Sequence, residues 1–293
     1  MIQKIIIRLS FILLLFASFA AAQGTQPFSD LDYPPYNPAK DPNIDMYTSS
    51  WMESVPKVTH GNLIERDIFT EFQGQEPYRP TVRGAVLKVL KRCTHGTLYA
   101  HMSTTPTTLK GEQEIFYFVG GKGSIKAGAK TADLYEGINI LVPPGLEFTM
   151  TNTGDLPLVM YVFAEEAPEG FKTRTDIAVK DENTTPIGEI GHWTHIFKQG
   201  IWYTDGLSKL VGMGPVWYSP MTMGEPHSHK EGVEEIWIAL EGDITFFLGK
   251  QIRKLPVGSA YYVPSNERTP HSNINLTDQP IKMFWIMRNP DVQ

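Results

Sequence analysis

Cysteine is nearly absent: the 293 residues contain one, Cys93. An intrachain disulfide is therefore excluded, and the core alone must hold the fold. Basic charge is also short, with 26 Lys+Arg against 32 Asp+Glu and a net charge of −6. No Lys/Arg cluster breaks that balance, so neither nucleic acid nor an anionic membrane surface is an expected partner. Beyond residue 22 no apolar run approaches the roughly 18 residues that a membrane helix requires. Long segments with a 3.6-residue apolar period are missing too. What is present instead is a series of short runs rich in Ile, Val, Phe, Tyr and Trp, such as Glu114–Gly121, Glu235–Leu240 and Ile281–Met287. Gly, Pro and Asn separate them. Such runs are strands, and the chain reads as all-β.

The first 22 residues carry Lys4 and Arg8, the apolar run Phe11–Ala17, and Ala20-Ala21-Ala22 before Gln23. This is the pattern of a secretory signal peptide cleaved near Ala22-Gln23, so the expected location is secreted or periplasmic. Residues 23–55 hold Pro27, Pro34, Pro35, Pro38 and Pro42. Proline at that density blocks helix, and an extended N-terminal arm is expected.

The strongest organisational signal is an internal repeat. Glu114-Ile-Phe-Tyr-Phe-Val-Gly-Gly121 matches Glu235-Ile-Trp-Ile-Ala-Leu-Glu-Gly242 at an offset of 121 residues. Gly137 followed by Pro143 matches Gly258 followed by Pro264 at the same offset. Two duplicated barrels or sandwiches are expected, one over 56–170 and one over 186–293, joined through a charged, Pro- and Gly-containing stretch.

Chemistry concentrates in the second copy. His227 and His229 are two apart, so on a strand they share a face. Glu234 or Glu235 follows, and His271 lies further on. Imidazoles plus one carboxylate inside a barrel suit Mn, Fe, Zn, Ni or Cu.

The series Gly224…His227-Ser-His229…Glu235…Gly242, then Gly258…Pro264…His271…Asn275, resembles the two motifs of the cupin superfamily. The resemblance covers both repeats, roughly residues 60–290, and implies a bicupin: two jelly-roll β-barrels. It also implies the metal ligands His227, His229, Glu235 and His271. The spacing to the carboxylate is one longer than the family's usual three or four. Glu234 therefore remains an alternative, although the match of Glu235 to Glu114 favours Glu235. The Ser265–Pro270 loop is longer than usual and can bring Asn266, Glu267 or Arg268 to the pocket mouth.

In the first copy, Pro106-Thr107-Thr108-Leu109 stands where the histidine pair should be, and Phe148 where the second motif expects His. That barrel is expected to be metal-free, filled by Phe116, Phe118 and Phe148, with a small polar pocket of His101 and Glu114 as a lesser possibility. Strand parity places Trp217, Met221 and Met223 on the face of His227, and Trp237 on that of Glu235. It turns Met283, Trp285 and Met287 inward and Lys282 and Arg288 to water. The candidate substrate pocket is thus Trp237, Met223, Asn275, Trp285 and Arg268. His192 and His195 have a helical spacing and no carboxylate in register, and are read as linker or rim. Tyr218, Tyr261, Tyr262 and Glu267 are unranked candidates for a general base.

These observations lead to an exported metalloprotein with a small-molecule substrate, homo-oligomeric if the barrel faces or the arm associate. Three functions fit. One is a Lewis-acid enzyme on a small oxygen-rich substrate such as a sugar acid. The others are an O₂-dependent Fe or Cu dioxygenase and a non-catalytic binding or storage bicupin.

Overall fold

The computed structural model describes residues 37, 41–75, 79–188, 193 and 195–292. The expected signal peptide and most of the expected arm lie outside these residues. The described part from Asp41 onward is built from strands. Its helices are short 3-10 turns at Ile44–Tyr47, Trp51–Glu53 and Tyr203–Asp205.

Two β-sandwiches follow one another along the chain. In the N-terminal one, a large sheet runs in the order Ala178–Asp181, Ile138–Val142, Glu112–Gly120, Leu158–Glu166, Leu90–Leu98, Leu63–Glu71, Lys57–Thr59. A smaller sheet of Lys130–Tyr135, Lys122–Ala127, Glu147–Asn152 and Thr107–Thr108 faces it. The C-terminal unit repeats the plan. Its large sheet runs Thr48–Ser50, Ser259–Val263, Glu234–Glu241, Ile281–Arg288, Gly212–Tyr218, His195–Lys198, Ile187–Gly188. Its small sheet is Thr222–Met223, His271–Asn275, Ile244–Leu248 and Gln251–Leu255. This is the duplicated jelly-roll architecture expected from the repeat.

Register confirms the duplication residue by residue. Glu114 pairs with Val142, and Glu235 pairs with Val263, 121 residues further on. The motif glycines Gly137 and Gly258 both turn at positive φ, +90° and +82°, where a side chain would be strained.

The two units exchange edge strands. Thr48–Ser50, which precedes the N-terminal barrel, pairs with Ser259–Val263 of the C-terminal sheet. Ala178–Asp181, from the stretch between the barrels, pairs with the equivalent strand Ile138–Val142 of the N-terminal sheet. Each exchange covers a sheet edge that would otherwise leave its N–H and C=O groups unpaired. Residues 48–50 are thus part of a barrel and not of an extended arm.

The large sheets also pack against each other. Phe284 stacks on Tyr117 at 4.2 Å between ring centroids and on Phe163 at 5.7 Å. This overturns the expectation that Lys282 faces water. Lys282 shares the face of Phe284, which is the seam between barrels, and is only 4% exposed. Its Nζ donates to Glu182 Oε1 at 2.6 Å, and Tyr117 donates to the other oxygen at 2.7 Å. The alternation along Ile281–Arg288 was sound, but the outer face meets protein. Arg288 is likewise only partly exposed, donating to the Gly232 carbonyl.

Candidate metal centre

His227, His229, Glu235 and His271 each offer one ligand atom, and these atoms all lie within 4.8 Å of one another. The fold brings them together from three places. Glu235 projects from the strand Glu234–Glu241, beside the central strand of the large sheet. His271 opens the strand His271–Asn275 of the small sheet. His227 forms an isolated antiparallel bridge with His271: its N–H donates to the His271 carbonyl at 3.3 Å, and its carbonyl accepts from the His271 N–H at 2.9 Å. The cluster therefore spans the two sheets from within.

The surroundings decide which atoms face inward. His227 Nδ1 donates to the Glu225 carbonyl at 2.9 Å, which leaves Nε2 as the ligand atom. Glu235 Oε1 accepts from both indoles, Trp237 Nε1 at 2.9 Å and Trp285 Nε1 at 2.8 Å. Its Oε2 is thereby turned to His229, with which it bonds, and to His271 Nε2 at 3.3 Å. Both ring nitrogens of His271 are buried with no hydrogen-bond partner. A buried imidazole without partners, beside two more imidazoles and a fixed carboxylate oxygen, fits a divalent transition metal.

Electrostatics agree. Burial by itself would raise the Glu235 pKa, but His271 and His229 together hold it well below the usual carboxylate range. Burial lowers His229, yet the Glu235 charge and hydrogen bond raise it overall. Burial and then His271 lower His227, keeping it in the neutral form that ligates.

Glu234, the alternative ligand, points the other way. Its carboxylate accepts from the backbone N–H of Lys88, Val89 and Leu90 at 2.7, 3.0 and 2.9 Å. It is a clasp on the N-terminal barrel.

The cavity beside the cluster measures about 50 Å³ and is lined by His195, Val216, Trp237, Trp285 and Met287 besides His227, His229 and Glu235. That is room for roughly three or four waters. Trp237 and Trp285 line this cavity and also orient Glu235. The other three pocket candidates are not among its lining residues. Met223 pairs with Ile274 at the edge of the small sheet. Arg268 is exposed, 3.7 Å from Asp41. Asn275 Nδ2 donates to the carbonyls of Tyr218, Ser219 and Gln279. Asn152 does the same in the other barrel, to Leu98 and Leu156. The shared asparagine is therefore a turn lock in both copies.

Parity also failed before His227. Val216 and Tyr218 pair with Met283 and Ile281, so the even positions face inward. Trp217 turns outward beneath Lys198 and Lys282. Met221 is exposed at a positive φ of 55°. Between them, the turn at 219–221 resets the alternation. His195 is the residue missed. Its spacing from His192, which lies outside the described residues, suggested a rim; in fact it sits on the strand His195–Lys198 beside Tyr218.

In the N-terminal barrel, Thr107 pairs with Phe148 where His227 pairs with His271. The space is filled by His60. Its Nε2 lies 3.3 Å from Glu114, and its ring is 5.5 Å from that of Phe148. Arg92 neutralises Glu114 from the other side. His101, by contrast, is exposed and pairs with Asp155 at 3.1 Å. A buried polar cluster forms there with a different histidine, His60, carried by the turn before Leu63–Glu71.

Residues 216–287 match the family described as Cupin domain. No curated protein sequence matches the chain. Among solved structures, a protein of Pseudomonas aeruginosa described as glyoxylate-induced superposes with TM-score 0.64 at 12% identity, covering 82% of this chain and 86% of its own. The oxalate decarboxylase of Lactobacillus farciminis, in complex with formate, gives 0.62 at 11% identity over 83% and 86%. AerE from Microcystis aeruginosa gives 0.59 at 13% identity over 83% and 99%. At these identities the likeness is one of fold.

Proposed function

We propose that this chain, whose residues 216–287 match the Cupin domain family and whose two barrels share the fold of two-barrel cupins, is an exported, metal-dependent enzyme acting on a small oxygen-rich acid. The observation that carries this reading is the convergence of His227, His229, Glu235 and His271 within 4.8 Å beside a cavity of about 50 Å³. A metal held by His227, His229, Glu235 and His271 would supply Lewis acidity toward a substrate oxygen. The chain's own residues do the rest. Trp237 and Trp285 hold Glu235 in its ligating orientation, and with Val216 and Met287 they exclude bulk water. So small a space favours an acid of a few carbons over a six-carbon sugar acid. The formate held by the Lactobacillus farciminis enzyme has the same chemical character. Among the described residues the N-terminal barrel has no cluster of this kind, which supports one active centre per chain.

The test is metal analysis of untagged protein, followed by turnover of small mono- and dicarboxylic acids with and without oxygen. One metal per chain and loss of both metal and turnover in His227→Ala are expected; a variant that keeps both overturns the reading. The apolar wall of Trp237, Trp285, Val216 and Met287 favours a second reading, a dioxygenase with O₂ in the cavity. Turnover under strict anaerobiosis excludes it.

A further inference from the structure

A second cavity, of about 220 Å³, opens in the seam between the two large sheets and is about four times the size of the one beside the metal cluster. Equivalent positions of the two repeats wall it: Val119 and Leu240, Glu136 and Val257, and Tyr161 and Lys282 are each 121 residues apart. Both barrels together make this space, and no residue of the metal cluster lines it. Strand alternation aims its side chains. Tyr161 lies two residues before Phe163, and Lys282 two before Phe284, and those two rings stack across the seam at 5.7 Å.

Tyr161 is 4% exposed, and its hydroxyl keeps accessible surface without a hydrogen-bond partner among the described residues. His95, opposite it in register, meets its ring edge-on at 5.5 Å and stacks on Trp51 at 4.1 Å. Trp51 follows the exchanged strand Thr48–Ser50, whose Ser50 Oγ donates to the Gly258 carbonyl. Gly258 makes room for the indole edge, since a Cβ there would lie 2.5 Å from Trp51 Nε1. That N–H, too, has no partner among the described residues. Two aromatic donors thus meet a space whose other walls include Val119, Leu240 and Val257. Carboxylates stand at its rim: Glu136 is exposed, and the Glu241 side chain is 61% exposed. Lys282 Nζ lies 3.8 Å from Glu241 Oε1, while Glu182 Oε1 holds it at 2.6 Å.

This arrangement selects against net charge. An anion meets Glu136 and Glu241, whereas a cation meets Lys282 and leaves the two aromatic donors unanswered. A hydroxyl suits both sets, because it donates one hydrogen bond and accepts two. The apolar walls suit the C–H faces of a ring. We infer that the seam cavity binds a neutral, hydroxyl-rich molecule of monosaccharide size, with Tyr161 and Trp51 donating to its oxygens and Glu241 accepting from its hydroxyls. The site is separate from the metal centre and does not rest on the reading of that centre.

The probes are D-glucose, D-galactose, D-xylose and myo-inositol, with gluconate and glucosamine as charged counterparts. The readout is the Trp51 indole N–H resonance in nitrogen-15 NMR of the whole protein, assigned with Trp51→Phe. At least one neutral probe is expected to shift it saturably, at one site per chain, and to bind more tightly than either charged compound. Tyr161→Phe keeps the ring and should weaken that binding about 5- to 10-fold. Val257→Trp, at a position 43% exposed, should block the cavity and abolish the shift, and it decides the matter should Tyr161→Phe fail to fold. His227→Ala should bind the probe as the natural protein does. No shift with any neutral probe, tighter binding of gluconate or glucosamine, or unchanged binding in folded Tyr161→Phe and Val257→Trp overturns the inference. Loss of the shift in His227→Ala also overturns it, by moving the probe to the other cavity.

Discussion

Glu234 and Glu235 are neighbours on one strand and serve opposite sides of it: Glu235 closes the metal cluster, while Glu234 clasps the other barrel by three backbone N–H groups. Alternation along a strand makes this unavoidable once either is placed. A matching clasp exists in reverse, where Glu165 of the N-terminal barrel accepts from Ser208, Lys209 and Leu210 at 2.7, 3.0 and 2.9 Å.

Glu235→Gln should abolish tight metal binding and also lower the melting temperature of the metal-free protein, because His229 loses the buried carboxylate it pairs with. Glu234→Ala should keep one metal per chain and lose about 2–4 kcal/mol of stability as buried N–H groups lose their acceptor. Metal analysis and urea unfolding on the two variants check this. Metal loss from Glu234→Ala with its fold intact would reassign the ligand.

Trp285 donates to Glu235 Oε1 and would act on a bound metal through it. Trp285→Phe keeps the ring and removes the N–H that fixes Oε1, so metal affinity should fall roughly 10- to 100-fold. Competition against a chelator of known affinity measures it.

Glu114 of the N-terminal barrel is engaged by His60 and Arg92, so Glu114→Gln should leave the metal content at one per chain. It should still cost stability, because Arg92 and His60 lose a buried counter-charge; about 3–5 kcal/mol is the scale for breaking such a pair. A drop in bound metal would show that the first barrel also ligates.

His95 is stacked on Trp51 at 4.1 Å, and burial, with Arg66 adding, pushes its pKa down to about 4. The folded protein thus resists a proton that the unfolded chain accepts near 6.5. The stability this group contributes is present above pH 6.5 and is lost as pH falls towards 4, by up to about 3 kcal/mol. His95→Gln should flatten that part of the stability profile in urea titrations at pH 7 and 4.5.

The repeat, the strand runs and the grouping of His227, His229, Glu235 and His271 were legible because each is a local pattern. Period-two spacing put His227 and His229 together, and the offset of 121 chose Glu235 over Glu234, as the paired registers of Val142 and Val263 bear out. Asn275 was visible as a shared residue but misread, since a turn lock and a pocket residue look alike in a motif. Its twin Asn152, in the barrel without the histidines, carried the warning.

The lone cysteine and the absent helices determined an all-β protein held by its core, and the duplicated motifs determined two barrels of which one can carry a metal. Tertiary structure decided the rest, because it depends on which surfaces meet. Lys282 is buried since the two large sheets stack; His60 reaches Glu114 since the turn before Leu63–Glu71 carries it there; Trp217 turns out since the loop at 219–221 shifts the alternation. His195 enters the cavity by pairing with Tyr218 across strands more than 20 residues apart. Sequence periodicity describes one element at a time, and these placements are set between elements.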